Sequence, residues 1–253
     1  MKVLVVIPAR YASSRFPGKP LVRLGGMPLV QWVWSRVVQM PFVADAVVAT
    51  DDDRIMQVVR QFGGNAMMTG SRHRSGTDRC GEVLESFEAE GKHFDVVVNV
   101  QGDEPFVQQD QLSSLIGCFA NKDTQIATLK TAIRDGHELC SANNVKVVCG
   151  IDGRALYFSR QPIPHLRGAE PSEWLARRRY FKHVGIYAFR SEVLKEVVRL
   201  EPSDLELCES LEQLRWLENG YSIAVRETGC ASIGIDTPED LAAAERFLLN
   251  MKK

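Results

Sequence analysis

From Met1 to Ala44 the chain has neither Asp nor Glu, and Asp45 is its first acid. The absence is local, because the whole chain balances 31 Lys and Arg against 32 Asp and Glu. A net charge of -1 gives no global electrostatic case for nucleic acid or an anionic membrane as partner. Other absences narrow the class further. Cysteines stand apart at 80, 118, 140, 149, 208 and 230, with no CxxC and no Cys/His ligand spacing. That pattern excludes a zinc module or disulfide scaffold and suits the reduced thiols of a cytoplasmic protein. No apolar run approaches membrane-spanning length, and "VLVVI" before Pro8 and Arg10 is too short for a signal-peptide core. Internal repeats and low-complexity segments are missing too.

What is present is ordinary globular composition, 45% hydrophobic and 25% charged over 253 residues, enough to bury one α/β core with a subdomain. "KVLVVIPA" is a continuous apolar run ending in a polar loop, the pattern of a buried parallel strand. Leu29, Trp32, Val33, Val37 and Met40 follow at helical spacing. "DAVVAT" and "FDVVVNV" predict further buried strands, and "NAMMT" a short one. Helices are expected over "DDDRIMQVVRQFG" and from about Thr77 to Glu90. Alternation of this kind predicts βαβ units around a mostly parallel sheet, whose ligands bind outside the carboxyl ends of the strands. The middle changes character: "VKVVCGIDGRALYFSR" predicts two short strands about a turn, and "KHVGIYAFR" another strand. This region reads as an antiparallel insertion. A helix near Ser203–Asn219, a strand at "YSIAV" and a final helix complete the chain.

The loop "IPARYASSRFPGKPL" places Arg10, Arg15 and Lys19 at the end of the first strand with no acid beside them. An isolated basic loop is more often merely solvated. Here the cations cluster where α/β sheets bind ligands, and guanidinium forks with a lysine suit a polyphosphate. It is not a Walker loop, which would need Gly at Ser13 and Ser or Thr at Pro20, and no GxGxxG follows the strand. Asp103 in "QGDEP" is the matching carboxylate for magnesium, which takes one or two carboxylates plus phosphates and waters. In "GIDTPEDL", Thr237 and Asp240 have the spacing of a capping box with Pro238 at the first helical position. Asp236 is then left over as a second candidate for the metal.

The motifs "IPARYASSRFPGKPL", "ATDDDRI", "SGTDR", "VNVQGDEPF", "ALYFSRQPIP", "HVGIYAFR", "ESLEQLRWLENG" and "GIDTPEDL", in order nearly end to end, resemble the 3-deoxy-D-manno-octulosonate (Kdo) cytidylyltransferases. The resemblance implies a Rossmann-like fold of the nucleotide-diphospho-sugar transferase type. It implies one nucleotidyltransferase domain over 1–253, with a sugar-binding and dimerisation subregion at about 145–200. The implied reaction joins CTP and Kdo, with Mg2+, into CMP-Kdo and pyrophosphate for lipopolysaccharide synthesis, in a cytoplasmic homodimer. Carried over by position, Arg10, Ser13, Arg15 and Lys19 would form the triphosphate loop, and Ser75, Gly76 and Gln101 would lie near the cytidine. Asp103 and Asp236 would hold the metal. Arg160, His183, Tyr187, Glu212 and Gln213 would meet the sugar, with Arg160 on its carboxylate. Arg72 and the run Arg177–Arg179 depart from the pattern without touching an assigned residue.

Two observations bear on the sugar side independently. Arg154–Arg190 holds eight Lys or Arg against only Glu170 and Glu173, which suits an anionic sugar acid, although a charged strand edge would look similar. Leu211, Leu214 and Leu217 mark an apolar stripe, leaving Glu212 and Gln213 off it. No residue stands out as general base. CMP-sialate synthetase, on the same fold, and a nucleotide-binding homologue without catalysis remain the alternatives; the first expects paired glycines and Ser-Lys in the loop, the second a lost aspartate pair.

Overall fold

The computed structural model describes residues 1–12, 16–230, 234–235 and 237–251. Contacts divide the chain into two compact units, Met1–Asp110 with Ala231–Lys253, and Gln111–Cys230.

In the first unit β1 (Val3–Pro8) is buried at every position, as its unbroken apolar run requires of a strand covered on both faces. Each such Val, Leu or Ile contributes about 1.5–3 kcal/mol on leaving water. A small hairpin of β2 (Arg23–Leu24) and β3 (Met27–Pro28) follows, then α1 (Leu29–Val37). Helix α1 buries Leu29, Val30, Val33, Trp34 and Val37. Trp32 is only half-buried, and its indole N–H donates to the Leu24 carbonyl. Next come β4 (Val43–Thr50), α2 (Asp53–Gln61), β5 (Ala66–Met68), α3 (Gly76–Ala89) and β6 (Val96–Asn99). Helix α2 is capped by Asp52, whose carboxylate accepts from the Arg54 N–H at 2.9 Å. Strands β6, β1, β4 and β5 lie side by side in that order, all parallel.

The second unit opens with α4 (Gln109–Gly117) and β7 (Ile126–Ala132), then α5 (Gly136–Cys140), β8 (Lys146–Cys149), β9 (Ala155–Ser159) and α6 (Trp174–Arg177). It continues through β10 (Phe181–Arg190), α7 (Ser191–Val197), α8 (Asp204–Glu209), α9 (Glu212–Glu218) and β11 (Ile223–Glu227). Strand β11 lies parallel to β7, whereas β7–β10, β10–β8 and β8–β9 are antiparallel. The antiparallel pairing expected around "DGR" is therefore the β8–β9 hairpin. The chain ends on α10 (Pro238–Met251). Its capping box forms as the spacing predicts: Asp240 N–H donates to Thr237 Oγ1, and Thr237 N–H donates to the Asp240 carboxylate. Leu248 and Ala244 of this helix bury against Leu24, Leu29, Phe106 and Ile235.

One expected element divides. Instead of a single helix near Ser203–Asn219, the chain breaks between α8 and α9 at Ser210, which takes a left-handed φ of 52°. The Arg215 guanidinium, nearly buried, donates through Nε and Nη2 to both oxygens of Glu206, at 2.8 and 2.7 Å. Arg160 takes the carbonyls of Glu209 and Ser210 released at the break. Long-range partners thus stabilise a bend that the local pattern does not contain.

Among the described residues no helix is long and apolar enough to cross a membrane.

Candidate active site

The carboxyl ends of β1 and β6 meet the start of α3. Ser75 is the N-cap of that helix: its hydroxyl accepts from the Asp78 N–H at 3.1 Å, and Asp78 accepts from the Ser75 N–H at 3.0 Å. A side chain at Gly76 would come within 3.1 Å of Pro8, 3.3 Å of Gln101 and 3.4 Å of Asn99. Gly102 is equally constrained, with Pro8 O only 3.0 Å from where a Cβ would stand. Glycine at both positions lets loop and helix close on the strand ends. The Gln101 amide is steadied by donating to Asn99 Oδ1 at 3.0 Å. Ser75, Gly76 and Gln101, expected near the cytidine, are thus brought together.

Lys19 starts a one-turn 3-10 helix, Lys19–Leu21, and its ammonium is paired with the Asp103 carboxylate. Both side chains retain some exposure, 14% and 25%. The two groups expected to face a metal nucleotide therefore neutralise each other here. Arg10 Nη2 donates to the Arg74 carbonyl, tying the basic loop to the segment before α3. Ser13, Arg15 and Asp236 lie outside the described residues, although Ile235, beside Asp236 in sequence, donates its N–H to the Asp103 carbonyl at 3.1 Å. A hard carboxylate oxygen already facing a cation fits magnesium. Among the described residues no three His, Cys, Asp or Glu side chains converge as a metal cluster.

Arg79, in the same "SGTDR" motif, received no role from the sequence. It is fully buried, donating through Nη2 to Asp51 at 2.8 Å and through Nη1 to Thr69 Oγ1 at 2.6 Å. It ties α3 to the ends of β4 and β5. Its spacing three residues beyond Gly76 was visible, but its partner Asp51 was not.

The second unit collects the residues expected to meet the sugar. The His183 ring lies 5.1 Å from those of both Phe158 and Tyr187, and Tyr187 meets Trp216 edge-on at 5.0 Å. Desolvation pushes the His183 pKa down to about 3, although the residue as a whole is only half-buried. Burial, with a smaller effect from the Glu212 charge, pushes Tyr187 up. Among the described residues Tyr187 Oη and Trp216 Nε1 are buried with no hydrogen-bond partner, so the cluster holds two unanswered polar atoms.

One expectation needs correction. Gln213 does not stand off the apolar stripe: α9 buries Gln213, Leu214, Arg215 and Trp216 in succession, because Arg215 is drawn inward to Glu206. The Arg160 guanidinium, expected on the sugar carboxylate, is also partly committed within the protein. It donates to the carbonyls of Glu209, Ala142 and Ser210 at 2.6, 3.0 and 3.2 Å. Beneath it the buried Lys146 ammonium donates to the carbonyls of Ser141, Asn144 and Arg160, a support the sequence did not reveal. Arg177 and Arg179 pair with Glu173 and Glu227.

A family model described as cytidylyltransferase matches residues 4–225. A 3-deoxy-manno-octulosonate cytidylyltransferase from Bacteroides thetaiotaomicron is 53% identical over 99% of both chains. One from Parabacteroides distasonis is 50% identical, again over 99% of each. The chain belongs to the 3-deoxy-manno-octulosonate cytidylyltransferase family. A solved CMP:2-keto-3-deoxy-manno-octonic acid synthetase complexed with CTP superposes on this member of the family with a TM-score of 0.90. The pair are 42% identical, and the match covers 99% of this chain and 100% of that one.

Proposed function

We propose that the protein activates Kdo with CTP, giving CMP-Kdo and pyrophosphate for lipopolysaccharide synthesis. The observation that carries this reading is the Lys19–Asp103 pair at the carboxyl ends of β1 and β6, beside the Ser75–Gly76 start of α3. The full-length likeness to a synthetase complexed with CTP supports the choice of nucleotide. In the reaction, the anomeric hydroxyl oxygen of Kdo forms a bond to the α-phosphorus. The bond from that phosphorus to the bridging oxygen breaks, pyrophosphate leaves, and the hydroxyl proton passes to solvent.

The chain's own groups bind and neutralise. Lys19 leaves Asp103 to meet phosphate oxygens, and Arg10, with Ser13 and Arg15 in the same loop, holds the triphosphate. Ser75, Gly76 and Gln101 form the cytidine face. His183, Tyr187 and Glu212 bind the sugar acid with Arg160 on its carboxylate, while Gln213 shapes that site from behind. Asp103, with Asp236, would hold magnesium, which when bound supplies charge neutralisation at the phosphates. We further propose that the protein is a cytoplasmic homodimer using the 145–200 region of a single catalytic domain, checked by its sedimentation in solution.

The test is pyrophosphate release from CTP and magnesium with Kdo, sialic acid or no sugar, for wild type and Asp103→Asn. Release that requires Kdo and collapses in Asp103→Asn is expected. Release with sialic acid alone would transfer the sugar site to the sialate-activating class, and CTP binding without release under any condition would make the protein a binder.

A further inference from the structure

We infer that Thr128 is a positioning residue: it fixes His183 in the Nε2–H form and leaves Nδ1 as a lone-pair acceptor for a sugar hydroxyl. The second half rests on the sugar site proposed above. The first half comes from the strand geometry alone.

The β7–β10 ladder loses its register between Val184 and Tyr187, and Thr128 stands opposite Tyr187 just past the irregularity. Such a bulge turns carbonyls out of the regular ladder. Thr128 Oγ1, fully buried, lies 2.9 Å from Ile186 O, 3.2 Å from Val184 O and 2.8 Å from His183 Nε2. A hydroxyl has one proton and two lone pairs, and a carbonyl oxygen can only accept. If Nε2 were the acceptor, it would take that single proton. Both carbonyls would then face bare lone pairs at hydrogen-bond distance, an uncompensated buried contact. The proton therefore goes to the carbonyls, and Nε2–H donates to Oγ1.

The consequence falls on the other nitrogen. With Nε2 protonated and the ring neutral, Nδ1 is an acceptor. Among the described residues Nδ1 has no hydrogen-bond partner, and His183 as a residue is half-buried, at a part-buried contact with Thr128. A neutral acceptor suits a hydroxyl donor and does not suit a carboxylate. His183 therefore discriminates for a sugar hydroxyl, and the acid group of the substrate must be met elsewhere.

The test uses the full chain with 15N-labelled histidine. In wild type at pH 7 the His183 ring should show Nε2 protonated and Nδ1 unprotonated, with an Nε2 proton slow to exchange with water. Thr128→Val, of similar shape but without the hydroxyl, should make that exchange fast, and Thr128→Ser should restore it. In parallel, KM for Kdo should rise about five- to tenfold in Thr128→Val with KM for CTP unchanged, and recover in Thr128→Ser. An Nδ1-protonated or doubly protonated ring in wild type would overturn the inference, as would an Nε2 proton equally slow in Thr128→Val. The expected ring signature without any use of Kdo would uphold the tautomer assignment and overturn the sugar reading.

Discussion

The residues gathered in the first unit and those gathered in the second hold polar groups in opposite ways. In the first, Lys19 and Asp103 are charged, partly exposed and paired directly with each other. In the second, Tyr187 and Trp216 are neutral at their tips, buried among aromatic rings and, among the described residues, without hydrogen-bond partners there. The contrast follows the chemistry proposed for each. A triphosphate needs mobile cations that can leave one anion for another, whereas a sugar is discriminated by polar groups held fixed on packed rings. The first device costs little stability; the second carries a standing desolvation cost.

The largest expected effect is at Asp103→Asn: a fall in turnover of ~100-fold or more, with little change in Tm. A variant retaining more than a tenth of the wild-type rate would break the contrast from the side of the charges. Arg79→Leu should act in the opposite manner, by lowering stability. Removing the buried guanidinium and its hydrogen bonds to the partly exposed Asp51 and to Thr69 costs about 1–3 kcal/mol, measurable by denaturant unfolding; an unchanged midpoint would show that Arg79 is not a structural tie. At Tyr187→Phe the two effects should part company. Losing a buried, unpartnered hydroxyl should leave the protein as stable or more stable by ~1 kcal/mol, while KM for Kdo rises. A clear loss of stability would mean that the hydroxyl is satisfied within the protein.

The smallest effect concerns pH. The folded pKa of His183, about 3, lies below its ordinary value near 6.5. Keeping the ring neutral therefore contributes stability that is fully present above pH 6.5 and is lost progressively as pH falls toward 3. In His183→Phe the fall of Tm over that window should be shallower than in wild type. Equal slopes would show that the ring is hydrated like a free histidine.

Much of the fold was legible because its signals are short-range. The run Val3–Ile7 announces a buried strand from its own composition, and the Thr237/Asp240 spacing announces a helix start from four residues. The position of Arg10 and Lys19 at the end of β1 was legible too, since the run before them reads as a strand that stops at Pro8. Arg160 and Gln213 were harder, since whether an arginine fork is open or a glutamine exposed depends on carbonyls and ion pairs contributed from elsewhere. No local pattern says that Ser210 will break a helix whose ends both have helical composition. Nor does any pattern say that Lys146 will bury its charge among three carbonyls.

By itself the sequence determined the alternation of strands and helices, the placing of Arg10, Lys19, Ser75 and Asp103 at strand and helix ends, and the resemblance of its ordered motifs. Periodicity and capping are properties of neighbours in the chain, so they can be read there. Only the tertiary structure decided that Lys19 rests on Asp103, that Arg79 rests on Asp51, and that the hydroxyl of Thr128 lies against His183. Those partners are 84, 28 and 55 residues apart in sequence. Which donor meets which acceptor is settled when burial removes water and each polar atom must find the partner that packing places beside it.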